Sequence, residues 1–282
     1  MQKNRYILTL SCPDIAGIVA AVSGFLRDNG GFIIESAQFG DPYSGRFFMR
    51  TYFSAAKPAK DLERKFITIA EHFKMDWRLY DTEVKPRVLL MVSKQGHCFN
   101  DILHRYSTGN LQIEIPAVVS NHKDLAKMAE WYEIPFHYLP VDSGNKAKQE
   151  TKILKTAEDL KIDLIVLARY MQILSSNVAE AWRGRAINIH HSFLPSFKGA
   201  KPYHQAYERG VKIIGATAHY ITGDLDEGPI IDQEITRVDH THTPEDLRAL
   251  GQDIENQVLA RAVKLHIEHR VLLNGNKTVI FR

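Results

Sequence analysis

The sequence predicts an α/β protein with two domains, and three observations lead to this prediction. The first eighty or so residues read as strand, helix, strand, strand, helix, strand. A second pattern follows, in which apolar strands alternate with helical stretches. The chain, at 282 residues, is long enough for two domains of ordinary size. We therefore expect a first domain over residues 1–83, a linker over 84–87 and a second domain over 88–282.

The first domain opens with an apolar strand over residues 5–10 and a helix that starts at Pro13 and Asp14. Asp14 is a suitable N-cap, and Gly30 and Gly31 are expected to end the helix. Apolar side chains recur at helical spacing between these limits. They are Ile15, Ile18, Val19, Val22, Phe25 and Leu26.

The rest of the first domain reads as two strands, a helix and a last strand. The strands, 32–39 and 46–53, are joined by a turn-forming segment over residues 40–45. The last strand covers residues 75–80, with Met75, Trp77 and Leu79 on one side. The complete order is the split βαβ pattern of ferredoxin-like domains. The helix between the strand 46–53 and the last strand is marked by Leu62, Phe66, Ile69 and Phe73.

The second domain is predicted to form a Rossmann-like, mostly parallel α/β sheet, because its strands alternate with helices. Residues 145–160 form a clear helical pattern. The run Thr243-Pro244-Glu245-Asp246 is a strong helix start, and that helix extends to about His266. The predicted strands cover residues 88–92, 112–119, 136–139, 164–167, 186–189, 212–220, 229–235 and 278–281.

Composition excludes several classes of protein. The formal net charge of +3 and the scattered Lys and Arg residues do not form a nucleic-acid-binding stripe. No apolar run is long enough to span a bilayer, and no signal peptide is evident. Cys12 and Cys98 fall in different predicted domains and offer no disulfide framework. We therefore expect a cytoplasmic protein that binds neither membranes nor nucleic acids.

Two loops carry the residues that point to chemistry. The run from Ile187 to Ser196 contains Asn188 and His190, which have the same parity in a strand and project to the same side. An amide and a protonated imidazole that converge on one carbonyl oxygen form an oxyanion hole. Asp226 lies in an acidic, glycine-bracketed loop, where it could stabilise an imidazolium and orient a nucleophile. The spacing alone also fits turn residues that make local hydrogen bonds.

These motifs resemble the signature of the folate-dependent formyltransferase-type hydrolases and transferases. The resemblance implies that Asn188, His190 and Asp226 are catalytic and that the segment 167–174 holds the pterin through its backbone. It also implies a folate substrate, no cofactor and no metal. His219 is a supporting residue or a core histidine. The substrate-binding residues so implied are Arg169, Tyr170, Met171, Gln172, Ile173, Leu174 and His219.

The first domain resembles an ACT domain, the small-molecule-sensing module of many amino-acid and one-carbon enzymes. The resemblance rests on the junction of the first strand and first helix, residues 12–19. It implies an amino-acid effector held at the helix N-terminus, and a homo-oligomer between a dimer and a hexamer. The alternative is that the glycine of this junction, Gly17, serves only helix packing or assembly. The candidate effector-binding residues are Asp14, Ala16, Gly17 and Ile18.

Departures from the family pattern indicate its hydrolytic branch. Residues 92–99 contain one glycine, Gly96, where transferases acting on glycinamide ribonucleotide have a glycine-rich phosphate loop. No segment is left over for the RNA-binding domain of the methionyl-tRNA enzymes. An ACT-like domain in front of this fold is typical of the branch that hydrolyses 10-formyltetrahydrofolate to formate and tetrahydrofolate. That activity would serve purine biosynthesis or the balance of one-carbon folates.

Two other functions remain open at this point: formyl transfer to an amine acceptor, and a non-catalytic sensor of amino acids or folate. Cys98 is a possible nucleophile, but a lone cysteine is more often an ordinary buried residue. Four further histidines invite a metal hypothesis, yet no Cys, Asp or Glu set at metal-ligand spacing accompanies them, so we predict no metal. Those histidines are His191, His204, His240 and His242.

Overall fold

The computed structural model describes residues 4–142, 144–194 and 202–282. Contacts divide the chain into two compact units: the residues up to Lys85 together with Glu268–Arg282, and Pro86–Ile267. One division between the two units falls after Lys85 and the other after Ile267. Pro195 and Ser196, the end of the histidine motif, lie outside the described residues.

The first unit contains a four-stranded antiparallel sheet and two helices in the predicted β-α-β-β-α-β order. The sheet order is β2-β3-β1-β4, with every pairing antiparallel. A separate two-stranded hairpin, β12-β13, ends the chain. The elements are β1 Asn4–Pro13, α1 Ile18–Asp28, β2 Phe32–Asp41, β3 Arg46–Ala55, α2 Ala59–His72, β4 Asp76–Asp81, β12 Val271–Asn274 and β13 Lys277–Ile280.

The start of α1 differs from the prediction. Pairing with β3 keeps β1 extended as far as Pro13, so the helix begins at Ile18 and not at Asp14. Asp14 instead donates its backbone N–H to the Gly45 carbonyl at 2.9 Å. The N-cap is Gly17, which has a left-handed φ of 98° and makes no side-chain capping bond. The expectation that Asp14 caps this helix was wrong.

The last fifteen residues group with the first unit, whereas the sequence had assigned them to the second. Arg270 forms an ion pair with Glu35 at 2.9 Å, and Arg50 donates to the Glu268 carbonyl at 3.1 Å. Asn274 donates to Asp41 at 2.7 Å. Strand β12 was not predicted.

The second unit contains a seven-stranded sheet in the order β11-β10-β9-β8-β5-β6-β7. All pairings among β5 to β9 are parallel, and β10 pairs antiparallel with both of its neighbours. The mostly parallel sheet is thus confirmed. Its strands are β5 Arg87–Val92, β6 Glu114–Ser120, β7 Phe136–Tyr138, β8 Leu164–Leu167, β9 Ala186–His190, β10 Ile213–Tyr220 and β11 Ile230–Arg237.

The helices of this unit differ in how well the sequence predicted them. The start of the last helix is confirmed, because Thr243 Oγ1 accepts from the Asp246 N–H and donates to its carboxylate. The short helices α4, α6 and α7 span less than two turns and show no clear period. Among the helices of the described residues, none combines the length and the apolar composition that a bilayer span requires. The helices are α3 His97–Ser107, α4 Ala126–Trp131, α5 Lys146–Asp159, α6 Ser176–Ala181, α7 Pro202–Glu208 and α8 Pro244–Ile267.

The strand order fixes where a ligand can bind. The chain runs from β5 to β6 and β7 on one side, and then places β8 and β9 on the other side of β5. In such sheets the ligand binds at the carboxyl ends of the strands, near the point where the order reverses. The segments that follow β5, β8 and β9 meet at this edge.

Candidate active site

A cavity of about 400 Å³ opens at the carboxyl edge of β8 and β9. All three predicted catalytic residues and all seven predicted substrate-binding residues line it. Two loops supply most of the wall: the segment after β8 and the loop between β10 and β11. The lining residues are Leu167, Arg169, Tyr170, Met171, Gln172, Ile173, Leu174, Asn188, Ile189, His190, His191, His219, Ile221, Thr222, Gly223, Asp224, Leu225 and Asp226.

Strand β9 presents Asn188 and His190 to this cavity. The strand is held between β8, which is parallel, and β10, which is antiparallel. Its register places Asn188 opposite His219, two residues before His190 pairs with Thr217. Because side chains alternate along a strand, Asn188 and His190 share one face, as predicted.

The loop after β10 returns Asp226 to the same place. Asp226 has a left-handed φ of 58°, a conformation that Asp tolerates better than most residues. Gly228 allows the loop to fold closely against β10, because an added Cβ would collide with the Tyr220 carbonyl oxygen. Tyr220 N–H donates to the Pro229 carbonyl at 2.9 Å and closes the turn. Strained backbone of this kind clusters at functional sites.

Asp226 and His190 form the central pair of the site, with 3.2 Å between Asp226 Oδ2 and His190 Nδ1. Burial alone would raise the pKa of Asp226, but hydrogen bonds from His190 and His219 hold it well below its ordinary value. The aspartate is therefore a carboxylate, and His190 Nδ1 donates to it. His190 Nε2 is buried and has no hydrogen-bond partner among the described residues. One ring nitrogen, Nδ1, is thus held by Asp226, and the other, Nε2, is left to bond with a ligand.

His219 lies beside Asn188 and Asp226 in the interior of the site. A bulge between Ala218 and His219 shifts the register of β10 at this point. His219 Nδ1 donates to the Tyr220 carbonyl at 2.9 Å, while Asn188 Nδ2 lies 3.3 Å from Nε2. The same Nε2 lies 3.7 Å from Asp226 Oδ1. His219 therefore contacts Asn188 and Asp226 at once, although it is only 2% exposed.

The segment after β8 is pinned at both ends. Met171 N–H donates to Ser93 Oγ at 2.9 Å, and Ser175 N–H donates to Glu150 at the same distance. Between these anchors the side chains of Met171 and Ile173 are exposed at the cavity. Burial raises the pKa of Tyr170 to about 12, so this residue stays a neutral phenol. The segment offers an apolar wall to a flat aromatic ligand.

The sequence did not reveal a polar network beside this cavity. Glu255, 1% exposed, accepts from His97 at 2.7 Å and from Tyr203 at 2.9 Å. Arg169 Nε lies 3.4 Å from the same carboxylate. Burial would raise the pKa of Glu255, but His97, Arg169 and Tyr203 lower it below its ordinary value. The sequence held one sign of this network. Glu255 lies on the buried stripe of α8 with Gly251 and Leu259, and a buried carboxylate needs polar partners.

The same network brings together a set of possible metal ligands that the sequence did not suggest. The donor atoms of His97, Cys98 and Glu255 lie within 4.8 Å of one another. The Glu255 carboxylate is already matched by Arg169 and by two donated hydrogen bonds. Its charge is therefore compensated by protein groups, which disfavours a cation there.

The remaining candidates separate clearly. Burial, with the charge of Glu255, raises the pKa of the Cys98 thiol well above its ordinary value, which disfavours a nucleophilic thiolate. His191 lines the cavity. His240 and His204 are exposed, and His242 pairs with Asp239 in a surface turn. Neither His204, His240 nor His242 contributes to the lining of the cavity.

The predicted effector-binding residues lie at the start of α1 in the first unit. Ile18 is buried, while Asp14, Ala16 and Gly17 are exposed. The carboxylate of Asp14 lies against Gly40 of β2, since a Cβ at Gly40 would collide with it. Of the four, Gly17 has a conformation that restricts substitution, because its φ is in the left-handed region.

Comparison with known proteins gives a consistent answer. Residues 86–263 match the Formyl transferase family. A formyltetrahydrofolate deformylase of Corynebacterium sp. (strain P-1) is 50% identical, with 100% of this chain and 99% of that protein covered. The structure of a formyltetrahydrofolate deformylase from Burkholderia mallei superposes with a TM-score of 0.96 at 51% identity, covering 99% of this chain and 100% of that one. A glycinamide ribonucleotide transformylase from Symbiobacterium toebii covers 73% of this chain and 98% of its own, with a TM-score of 0.66 at 28% identity.

Proposed function

The chain belongs to the formyl transferase family, among its formyltetrahydrofolate deformylases, and we propose that it hydrolyses 10-formyltetrahydrofolate to formate and tetrahydrofolate at the Asn188–His190–Asp226 site. The observation that carries the proposal is the state of His190. Its Nδ1 is held by Asp226, and its Nε2 is buried beside the cavity without a partner among the described residues. A formyl oxygen is the group that would satisfy this nitrogen.

In the proposed mechanism the formyl oxygen accepts hydrogen bonds from Asn188 and His190. Water, oriented by Asp226, attacks the formyl carbon, and the imidazolium of His190 stabilises the oxyanion that develops. N10 takes up the proton that the attacking water releases, the carbon–nitrogen bond breaks, and formic acid leaves and ionises to formate. Water supplies the oxygen that formate gains, so the step needs no covalent enzyme intermediate.

The proposal includes no cofactor and no metal. Both oxygens of Asp226 face histidine nitrogens, at 3.2 and 3.7 Å, so the carboxylate is already matched by protein groups. The apolar wall around Met171 and Ile173 suits a pterin ring. Formate and tetrahydrofolate would then feed purine biosynthesis or rebalance the one-carbon folates.

Water should be the only efficient formyl acceptor. The single glycine of residues 92–99, Gly96, is the N-cap of α3, and an added Cβ would lie 2.8 Å from the Leu125 side chain. Gly96 therefore lies close to a neighbouring side chain. A single glycine used in this way gives little reason to expect a loop whose backbone amides bind a phosphate. The test is to quantify formate and formylated amine with and without glycinamide ribonucleotide. Formyl transfer that saturates with the amine and outpaces formate release would overturn the assignment. Folate binding without any formate release would favour a sensor.

We also propose that the first unit is an ACT-like regulatory module that binds a small amino acid and pairs with other copies of the chain. The start of α1 supports the proposal, because its first-turn N–H groups have no side-chain cap. Ile15 and Val19 are exposed beside it, at 51% and 37%. Such a surface suits an interface between modules, where an effector carboxylate would be held.

A Gly17→Val variant should lose the response to amino acids and keep basal hydrolysis. Valine is strained at φ 98°, so the N-terminal turn of α1 has to change, while Asn188, His190 and Asp226 belong to the other unit. The measurement is formate release with glycine or methionine added, where regulatory coupling of about 1–3 kcal/mol would shift activity several-fold to a hundredfold. Gly24→Val is the matched control, since an added Cβ there meets nothing within 4 Å. If amino acids neither bind nor alter wild-type activity, the module serves assembly alone.

A further inference from the structure

A buried arginine links the polar network to the cavity. Arg169 is 8% exposed, has a left-handed φ of 63° and lies two residues after the end of β8. Its Nε donates to Gln95 Oε1 at 2.9 Å and lies 3.4 Å from Glu255. Its Nη1 lies 2.8 Å from His191 Nδ1. Four elements, the segments after β5, β8 and β9 and helix α8, therefore meet at one guanidinium.

The direction of the Arg169–His191 hydrogen bond is fixed by chemistry. A guanidinium has only donors, so His191 Nδ1 has to accept. A neutral imidazole that accepts at Nδ1 carries its proton on Nε2. No second hydrogen bond of the His191 ring is found within the described ranges, and the residue lines the cavity. Its Nε2–H is thus available to a ligand.

His191 is held neutral by its surroundings. Burial lowers the pKa of His191 to about 4, helped by the charges of Arg169 and His190 and opposed by those of Glu255 and Asp226. The Tyr203 ring lies 6.4 Å away on α7. Among the residues that the structure describes, these are the titratable and charged groups that face it from β9 and from the elements around it.

Neutrality matters because of the neighbouring ring. His190 and His191 stack with ring centroids 4.8 Å apart and an interplanar angle of 23°. A second imidazolium at this distance would oppose the charge that His190 has to carry during the reaction. Glu255 in turn compensates the buried charge of Arg169, which would otherwise act on both rings.

We propose that Glu255 and Arg169 are positioning residues that lock His191 in its neutral Nε2–H tautomer, so that it donates to the substrate oxygen bound beside His190. The proposal rests on the function proposed above. It assigns the network a task in catalysis: the site gains a donor that stays uncharged and does not titrate in the working range. Donors of this kind, set in place before the reaction, stabilise a developing oxyanion.

Nuclear magnetic resonance of full-length protein labelled with ¹⁵N-histidine tests the tautomer directly. Wild-type His191 should show the Nε2–H form and no titration between about pH 5.5 and 8, whereas Arg169→Met should make it titrate there, because a donor and a positive charge are lost. Arg183→Met is the control, since Arg183 is exposed and pairs only with Glu180 among the described residues. Titration of wild-type His191 near its ordinary range, or an unchanged spectrum in Arg169→Met, would overturn the proposal.

Kinetics separate this task from simple packing. His191→Phe keeps a ring but no donor, whereas His191→Gln keeps an N–H near the position of Nε2. We expect kcat to fall by about 10- to 100-fold in His191→Phe, with KM little changed. In His191→Gln the loss of kcat should be about ten times smaller than in His191→Phe. Equal losses, or a smaller loss for Phe, would mean that His191 only fills space. If the wild-type protein releases no formate, the proposed function fails instead, and the spectra still decide the tautomer.

Discussion

Replacing Asp226 with Asn is expected to lower kcat for formate release by about 10²–10⁴-fold while folate binding is retained. Asparagine keeps the shape of the side chain but removes the charge that faces His190 at 3.2 Å and His219 at 3.7 Å. The imidazolium then has no counter-ion, and water has no charged acceptor to orient it. Single-turnover formate release, with tetrahydrofolate binding measured separately, checks the two halves of this expectation.

The matched control is Asp253→Asn, which removes a carboxylate from an exposed position of α8. Its turnover should equal that of the wild type. Near-wild-type turnover of Asp226→Asn would remove Asp226 from the mechanism.

The effect of Asp226→Asn on the stability of the folded protein should depend on pH. The pKa of Asp226 is lowered in the folded protein, so its carboxylate contributes stability above the unfolded pKa of about 4, and this is lost as the pH falls through the folded value. The difference in melting temperature between wild type and Asp226→Asn should therefore shrink in acid.

Apolar runs and helix signals were a good guide to most of the fold. The strands of the parallel sheet were predictable as apolar runs that alternate with helical stretches, and helix α8 from its start at Thr243–Asp246 and its recurring apolar residues. The start of α1 was misjudged because Asp14 looks like a cap in sequence, while the pairing of β1 with β3 extends the strand past it. The position of the last fifteen residues depends on ion pairs such as Arg270–Glu35, which join distant parts of the chain.

The candidate site also has a part that the sequence could predict and a part that it could not. Asn188, His190 and Asp226 stand in short motifs that could be recognised in the sequence, and the structure brings them to one cavity. Their catalytic roles stay a prediction. The contacts of Arg169 with Gln95, His191 and Glu255 could not be predicted, since the three partners belong to three other elements. A carboxylate on the buried face of a helix was the local sign that such a partner had to exist.

His190→Ala is expected to reduce kcat by about 10³-fold, because it removes both an oxyanion donor and the group that carries the positive charge. Asp226 would remain as a carboxylate without its main partner, so a double variant with Asp226→Asn should be little slower than either single one. Non-additivity of this kind is expected when two residues act as one unit, and steady-state formate release measures it.

Adding imidazole to His190→Ala provides the sharper test. The substitution leaves a ring-sized space beside the cavity, next to the carboxylate that held His190 Nδ1. Free imidazole that enters it should restore part of the lost activity in a saturable way, and more when it is protonated, since the oxyanion is stabilised by charge. His137→Ala, an exposed position on β7, should lose no activity and gain none from imidazole. Full activity in His190→Ala would contradict the mechanism, whereas rescue by neutral imidazole alone would show that His190 acts as an uncharged donor.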